Sequence, residues 1–167
     1  NVFACRLGTE HDFAKVLDFG LVKYTGSAAY QANLTLEGMT TGTPAYMSPE
    51  VATGQTAIDG RADIYSLGCV GYWLLTGHLV FEETSAVAMV LAHVQKTPAP
   101  PSQRTELEVP AALERVILQC LAKEPSGRPQ NARELHRLLA ACGPPEPWTQ
   151  EDAERWWQAH RPRAAAL

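Results

Sequence analysis

Asp63-Ile64-Tyr65-Ser66-Leu67-Gly68-Cys69-Val70-Gly71-Tyr72-Trp73-Leu74-Leu75-Thr76-Gly77 is the stretch on which the reading of this fold turns. From Ile64 to Thr76 almost every helical face would carry apolar residues. A helix that is apolar all round is expected to lie in a core. Gly77 supplies a C-terminal stop, and Asp63 is a plain capping choice at the start. The run is far shorter than the ~20 apolar residues of a membrane span. Ser66 and two glycines also interrupt it.

Further helices are expected on both sides. Pro49-Glu50-Val51-Ala52 can open a short one, because Pro is tolerated in a first turn. Thr84 to Lys96 reads as an amphipathic helix ended by Pro98, Pro100 and Pro101. Pro110 to Lys123 reads as another, with Leu113, Val116, Ile117, Cys120 and Leu121 on one face. Pro125, Gly127 and Pro129 mark a turn, and Asn131 with Glu134 is close to a capping box for Ala132 to Ala141. Gly143-Pro144-Pro145-Glu146-Pro147 is a stiff linker to a short helix over Thr149 to His160. Near the start, Val2-Phe3-Ala4-Cys5 and Ala14-Lys15-Val16-Leu17 are β-type runs around a Gly8-Thr9-Glu10 turn, a hairpin pattern. Between hairpin and helices, residues 22–43 are polar, Thr-rich and without helical period. That is a loop of 22 residues where ~4–6 is usual, which points to a functional loop.

Composition narrows the classes. The 167 residues carry 14 Lys and Arg against 18 Asp and Glu, a net charge of −4. This mild acidity gives no reason to expect nucleic-acid binding. A hydrophobic fraction of 46% is that of a globular chain. Cys5, Cys69, Cys120 and Cys142 lack CxxC spacing, so a reducing, cytoplasmic compartment is expected and a zinc site is not. Cys69 and Cys120 fall inside apolar helical patterns and read as buried thiols. His11, His78, His93, His136 and His160 form no triad or metal spacing and read as surface or packing residues. Asn1 is not an initiator Met and no signal-peptide pattern follows, so the chain is expected to begin within a longer protein.

The chemistry-bearing residues come as an ordered series. Asp18-Phe19-Gly20 follows a short apolar strand. An Asp there can offer hard oxygen ligands to Mg²⁺, and the Gly permits an abrupt turn. Twenty-two residues after Gly20 stands Gly42-Thr43-Pro44-Ala45-Tyr46-Met47-Ser48-Pro49-Glu50. Asp63 to Gly68 follows, and later Lys123-Glu124-Pro125-Ser126-Gly127-Arg128-Pro129. In this order and spacing, residues 1–142 resemble the C-terminal lobe of a eukaryotic-like serine/threonine protein kinase of bacterial type. One motif reads Ser48-Pro49-Glu50 where the family pattern has Ala-Pro-Glu.

The resemblance implies a mainly α fold with one short N-terminal hairpin and no N-lobe in these residues. It implies a partial catalytic domain over 1–142 and a linker with a Trp-bearing tail over 143–167. It implies ATP and Mg²⁺ as cofactors, with Asp18 and Asn1 as metal ligands and Asn1, Asp18, Phe19 and Gly20 lining the cofactor site. Thr43 would seat the acceptor loop near the catalytic base and favour Ser/Thr acceptors. Glu50 and Arg128 would form a buried ion pair anchoring that segment, and Asp63 would accept backbone N–H groups of the catalytic loop. Thr35, Thr40 and Thr41 are the candidate regulatory phosphorylation sites, Thr35 first, with Lys23 as a basic partner. Partners would be proteins with Ser or Thr acceptors, the missing N-lobe, and a second copy during autophosphorylation. Whether the parent is membrane-anchored stays open.

The Gly-rich loop, the strand Lys and the catalytic-loop Asp are not among these residues. The chain alone is therefore expected to be inactive. A pseudokinase or scaffold lobe is the alternative, and an unrelated helical module a third. The tail tryptophans are expected to fold back, with a partner site as the alternative.

Overall fold

The computed structural model describes residues 2–17, 44–143 and 147–160. Asn1, Asp18, Phe19, Gly20, Lys23, Thr35, Thr40, Thr41 and Thr43 lie outside them. The described residues are mostly helical, with one antiparallel hairpin. The chain forms two compact units, residues 24–142 and residues 1–23 with 143–167. The hairpin thus groups with the tail.

In the unit of residues 1–23 and 143–167, β1 (Val2–Leu7) pairs with β2 (Glu10–Val16). Both strands run further toward the turn than the apolar runs suggest, because pairing continues through the polar positions up to Leu7 and Glu10. Gly8 takes φ +62° in the turn, where a side chain would be strained. The register slips between Cys5 and Leu7, so His11 and Asp12 together face one β1 residue, a β-bulge. Asp12 carries it in a left-handed conformation, φ +56°. The C-terminal helix of this unit, Gln150–His160, packs on β2.

The unit of residues 24–142 is helical. Its elements are α1 (Pro49–Ala52), α2 (Arg61–Thr76), α3 (Ala86–Gln95), α4 (Ala111–Cys120) and α5 (Ala132–Ala140); the tail helix Gln150–His160 is α6. Caps explain the boundaries. Ser85 Oγ accepts the Ala88 N–H at 3.1 Å, and Asn131 Oδ1 accepts the Glu134 N–H at 2.9 Å. Glu134 reaches back one residue further than a capping box requires, to the Gln130 N–H. Gly77 ends α2 at φ +72°, its N–H bonded to the Trp73 carbonyl. The helix begins at Arg61, and the side chain that takes the Arg61 N–H is Asp59 rather than Asp63.

Two faces of α2 build the core. Tyr65, Cys69 and Tyr72 join Ala45, Phe81, Met89, Ala92, Ile117 and Leu121. Ile64 joins Val116, Cys120 and Leu135. Gly68 and Gly71 let α4 approach: a Cβ on Gly68 would stand 2.7 Å from Cys120 Cβ. The expectation of burial all round is corrected on the third face. Leu67 is 47% and Leu74 70% exposed, because the described elements cover only two sides of the helix. This third face lines an open apolar groove of about 290 Å³ with Leu113, Ile117 and Leu139. Among the described residues, no helix is long and apolar enough to cross a membrane.

Candidate functional site

Glu50 and Arg128 are 78 positions apart, yet they meet in the interior of the helical unit. Glu50 stands in the first turn of α1, which Pro49 starts by supplying a helix-compatible φ. Arg128 follows the Pro125–Gly127 turn. Its Nη1 and Nη2 donate to Glu50 Oε1 and Oε2 at 2.7 and 2.8 Å, a bidentate pair. The remaining donors reach the carbonyls of Arg61, Ala122 and Lys123. All five guanidinium N–H groups are thereby used, a match that a Lys could not supply. The guanidinium also lies 4.9 Å from the Tyr65 ring centre. Burial is the largest single influence and pushes the Glu50 carboxyl up, but the Arg128 hydrogen bonds and charge, with the backbone and Ser48 hydrogen bonds, together hold the group below its ordinary range.

The pair fastens one end of the segment that runs from Pro44 into α1. The other end is held by the core. Pro44–Tyr46 is a single 3₁₀ turn, closed by the Met47 N–H on the Pro44 carbonyl. Ala45 is buried in the main cluster, and Ser66 Oγ donates to the Tyr46 carbonyl at 2.8 Å. Ser66, the one serine of α2, is thus a tether for this turn.

Beneath the turn lies a buried histidine, read from the sequence as a surface or packing residue and found packed. His93 of α3 is fully buried, its Nδ1 2.9 Å from Tyr65 OH and its ring edge-on to Phe81. Its Nε2 lies close to the Ala45 backbone but makes no hydrogen bond among the described residues. Lys123 Nζ donates to the His93 carbonyl at 2.7 Å and sits 4.8 Å from the Phe81 ring centre. Burial, then the Lys123 charge, pulls His93 down to about 4, so the ring is neutral near pH 7. Burial likewise lowers Lys123 to about 8 and raises Cys69 to about 12 and Cys120 to about 11. Those thiols are protonated packing groups, as read from their apolar setting. No periodicity marks His93, because one polar residue on an apolar face looks the same whether it caps a network or merely fills space.

Asp63 is exposed in the first turn of α2. Its neighbour Asp59 takes the capping role, with the Arg61 side chain and N–H holding its carboxyl down at about 2. Among the described residues, no group of three His, Cys, Asp or Glu side chains is placed to hold a metal. The described residues thus tie the Pro44–Glu50 stretch to the helical core.

Comparison with known proteins agrees with this arrangement. Residues 5–138 match the model of the protein kinase domain family. The serine/threonine-protein kinase pkn3 of Myxococcus xanthus is 44% identical over 133 residues, covering 79% of this chain and 24% of that protein. Pkn1 of the same organism is 44% identical over 128 residues, covering 77% and 18%. PknB of Mycolicibacterium smegmatis is 39% identical over 154 residues, covering 88% and 24%. The chain spans about a quarter or less of the length of these relatives. With a family match over most of its length, this chain belongs to the protein kinase domain family, among the serine/threonine kinases of bacterial type.

Proposed function

We propose that these residues form the acceptor-seating and magnesium-holding part of a serine/threonine kinase catalytic domain. The complete domain would transfer the ATP γ-phosphate in line to a protein hydroxyl. The observation that carries this reading is the buried Glu50–Arg128 pair. It ties the end of the Thr43–Glu50 segment to the helical core, as a loop that must present an acceptor hydroxyl at fixed distance requires.

In this reading Asp18 and Asn1 hold Mg²⁺, which neutralises charge on the transferring phosphate when bound. Thr43 orients the acceptor loop. Phosphorylation of Thr35, Thr40 or Thr41 adds about −1.5 to −2 charge and orders the loop against basic groups, Lys23 among them. Autophosphorylation would pair two copies of the chain. The catalytic domain would work in the cytoplasm, where ATP is available. By themselves the 167 residues transfer no phosphate, because they contain no Gly-rich loop, strand Lys or catalytic-loop Asp.

The test compares the product of the complete reading frame with its Asp18→Asn and Thr43→Ala variants, using a generic protein acceptor. Loss of the Mg²⁺ ligand should reduce transfer by at least about a hundredfold, the scale of a lost electrostatic stabiliser. Transfer that persists in Asp18→Asn would contradict the assignment.

A further inference from the structure

The hairpin carries a feature that the kinase reading does not use. An isolated two-stranded hairpin is marginal in water, and needs a third strand or a helix to persist. The bulge at His11 and Asp12 makes this one weaker still, because a bulge leaves backbone groups without ladder partners. Both of those groups are met by the C-terminal helix. The His11 N–H donates to Gln150 Oε1 at 2.8 Å, and Gln150 Nε2 donates to the His11 carbonyl at 3.2 Å. One side-chain amide thus replaces a missing strand partner.

The next residue completes the contact. The left-handed backbone of Asp12 accompanies a carboxylate shared by two indoles. Trp148 Nε1 donates to Oδ2 at 2.8 Å and Trp157 Nε1 to Oδ1 at 2.6 Å. Trp156 stands edge-on to Trp157 and stacks on His160, buttressing the donor. Thr149 and Asp152 cap α6 in reciprocal fashion, which sets Gln150 in its first turn. Ala153 is fully buried, leaving room for close approach of the helix. The helix lies beyond residue 138, where the match to the shared domain ends.

We infer that the bulged hairpin is a docking site for the chain's own Trp-bearing C-terminal helix, and that this helix is a strap without which the hairpin does not stay folded. The strand it fastens, β2, runs to Val16, two residues before Asp18. The strap is made mostly of exposed polar contacts, and Trp148 remains 60% exposed. Such a contact opens at lower free energy than a packed core does.

The experiment is amide hydrogen exchange on the full 167-residue chain, comparing it with W148F/W157F and with Asp12→Asn. The double variant keeps an aromatic side chain at both positions, drops the pyrrole half of each indole, and so removes both N–H donors. Asn tolerates the left-handed backbone and leaves one acceptor oxygen. In W148F/W157F, exchange over Val2–Val16 and over Gln150–His160 should rise together by at least about tenfold, with Asp12→Asn intermediate. Exchange in the Arg61–Thr76 helix should not change, and so serves as the internal control. A rise confined to the tail helix, or no rise in either segment, would overturn the strap. Should the double variant also lose protection in the control helix, Asp12→Asn decides by the same two outcomes. No phosphotransfer is measured, so failure here is separable from failure of the kinase reading.

Discussion

Arg128 concentrates more of the fold than any other described side chain. It is 2% exposed and holds Glu50 and three backbone carbonyls at once. Removing one partner of a buried pair strands the other charge, at a cost of about 3–5 kcal/mol. Denaturant unfolding of Arg128→Ala should show a loss of that size; a loss within about 1 kcal/mol, as for a surface pair, would contradict the burial. His93 predicts a pH dependence. Its ordinary value of 6.5 falls to about 4 in the folded chain, so the unfolded chain binds the proton first. Stability should be full above pH 6.5 and decline as pH falls toward 4, by about 3 kcal/mol. Titrated unfolding of His93→Gln should lack that part of the slope. The ion pair was legible in the sequence only through the order of kinase-like motifs, since nothing local links positions 78 apart. The His93 network was not legible, because Tyr65, Phe81 and Lys123 reach it from separate elements.

Among the elements, α2 decides how the helical unit packs, and its two internal glycines are contact points. At Gly68 an added methyl would meet the Cys120 Cβ at 2.7 Å and its backbone carbon at 3.4 Å. At Gly71 the nearest atom is the end of the Ile117 side chain, at 2.6 Å, which can turn away. Gly68→Ala should therefore cost about 1–3 kcal/mol and Gly71→Ala less, although Ala favours the helix in isolation. Equal thermal stability of the two variants would contradict this. The helices themselves were readable from apolar period, Pro and caps, with boundaries that match or shift by up to three residues. The exposed third face of α2 was not readable, since an apolar position gives no sign of which neighbour covers it. The bulge was equally hidden: His11 and Asp12 interrupt no pattern that sequence alternation would register.

For the whole molecule, the helical unit holds the Glu50–Arg128 pair and the hairpin unit holds β2, which ends two residues before Asp18 in the sequence. In the proposed reading, the Gly-rich loop and strand Lys that a complete kinase places on the ATP phosphates belong to neither unit. The 167 residues incubated with MgATP and a protein acceptor should leave no label on it. The most direct test of the central claim is the phosphoamino-acid composition of an acceptor protein treated with MgATP and the product of the complete reading frame. Phosphoserine and phosphothreonine without phosphotyrosine, abolished in the Asp18→Asn variant, is the predicted result. An unlabelled acceptor, or phosphotyrosine in it, would contradict the account.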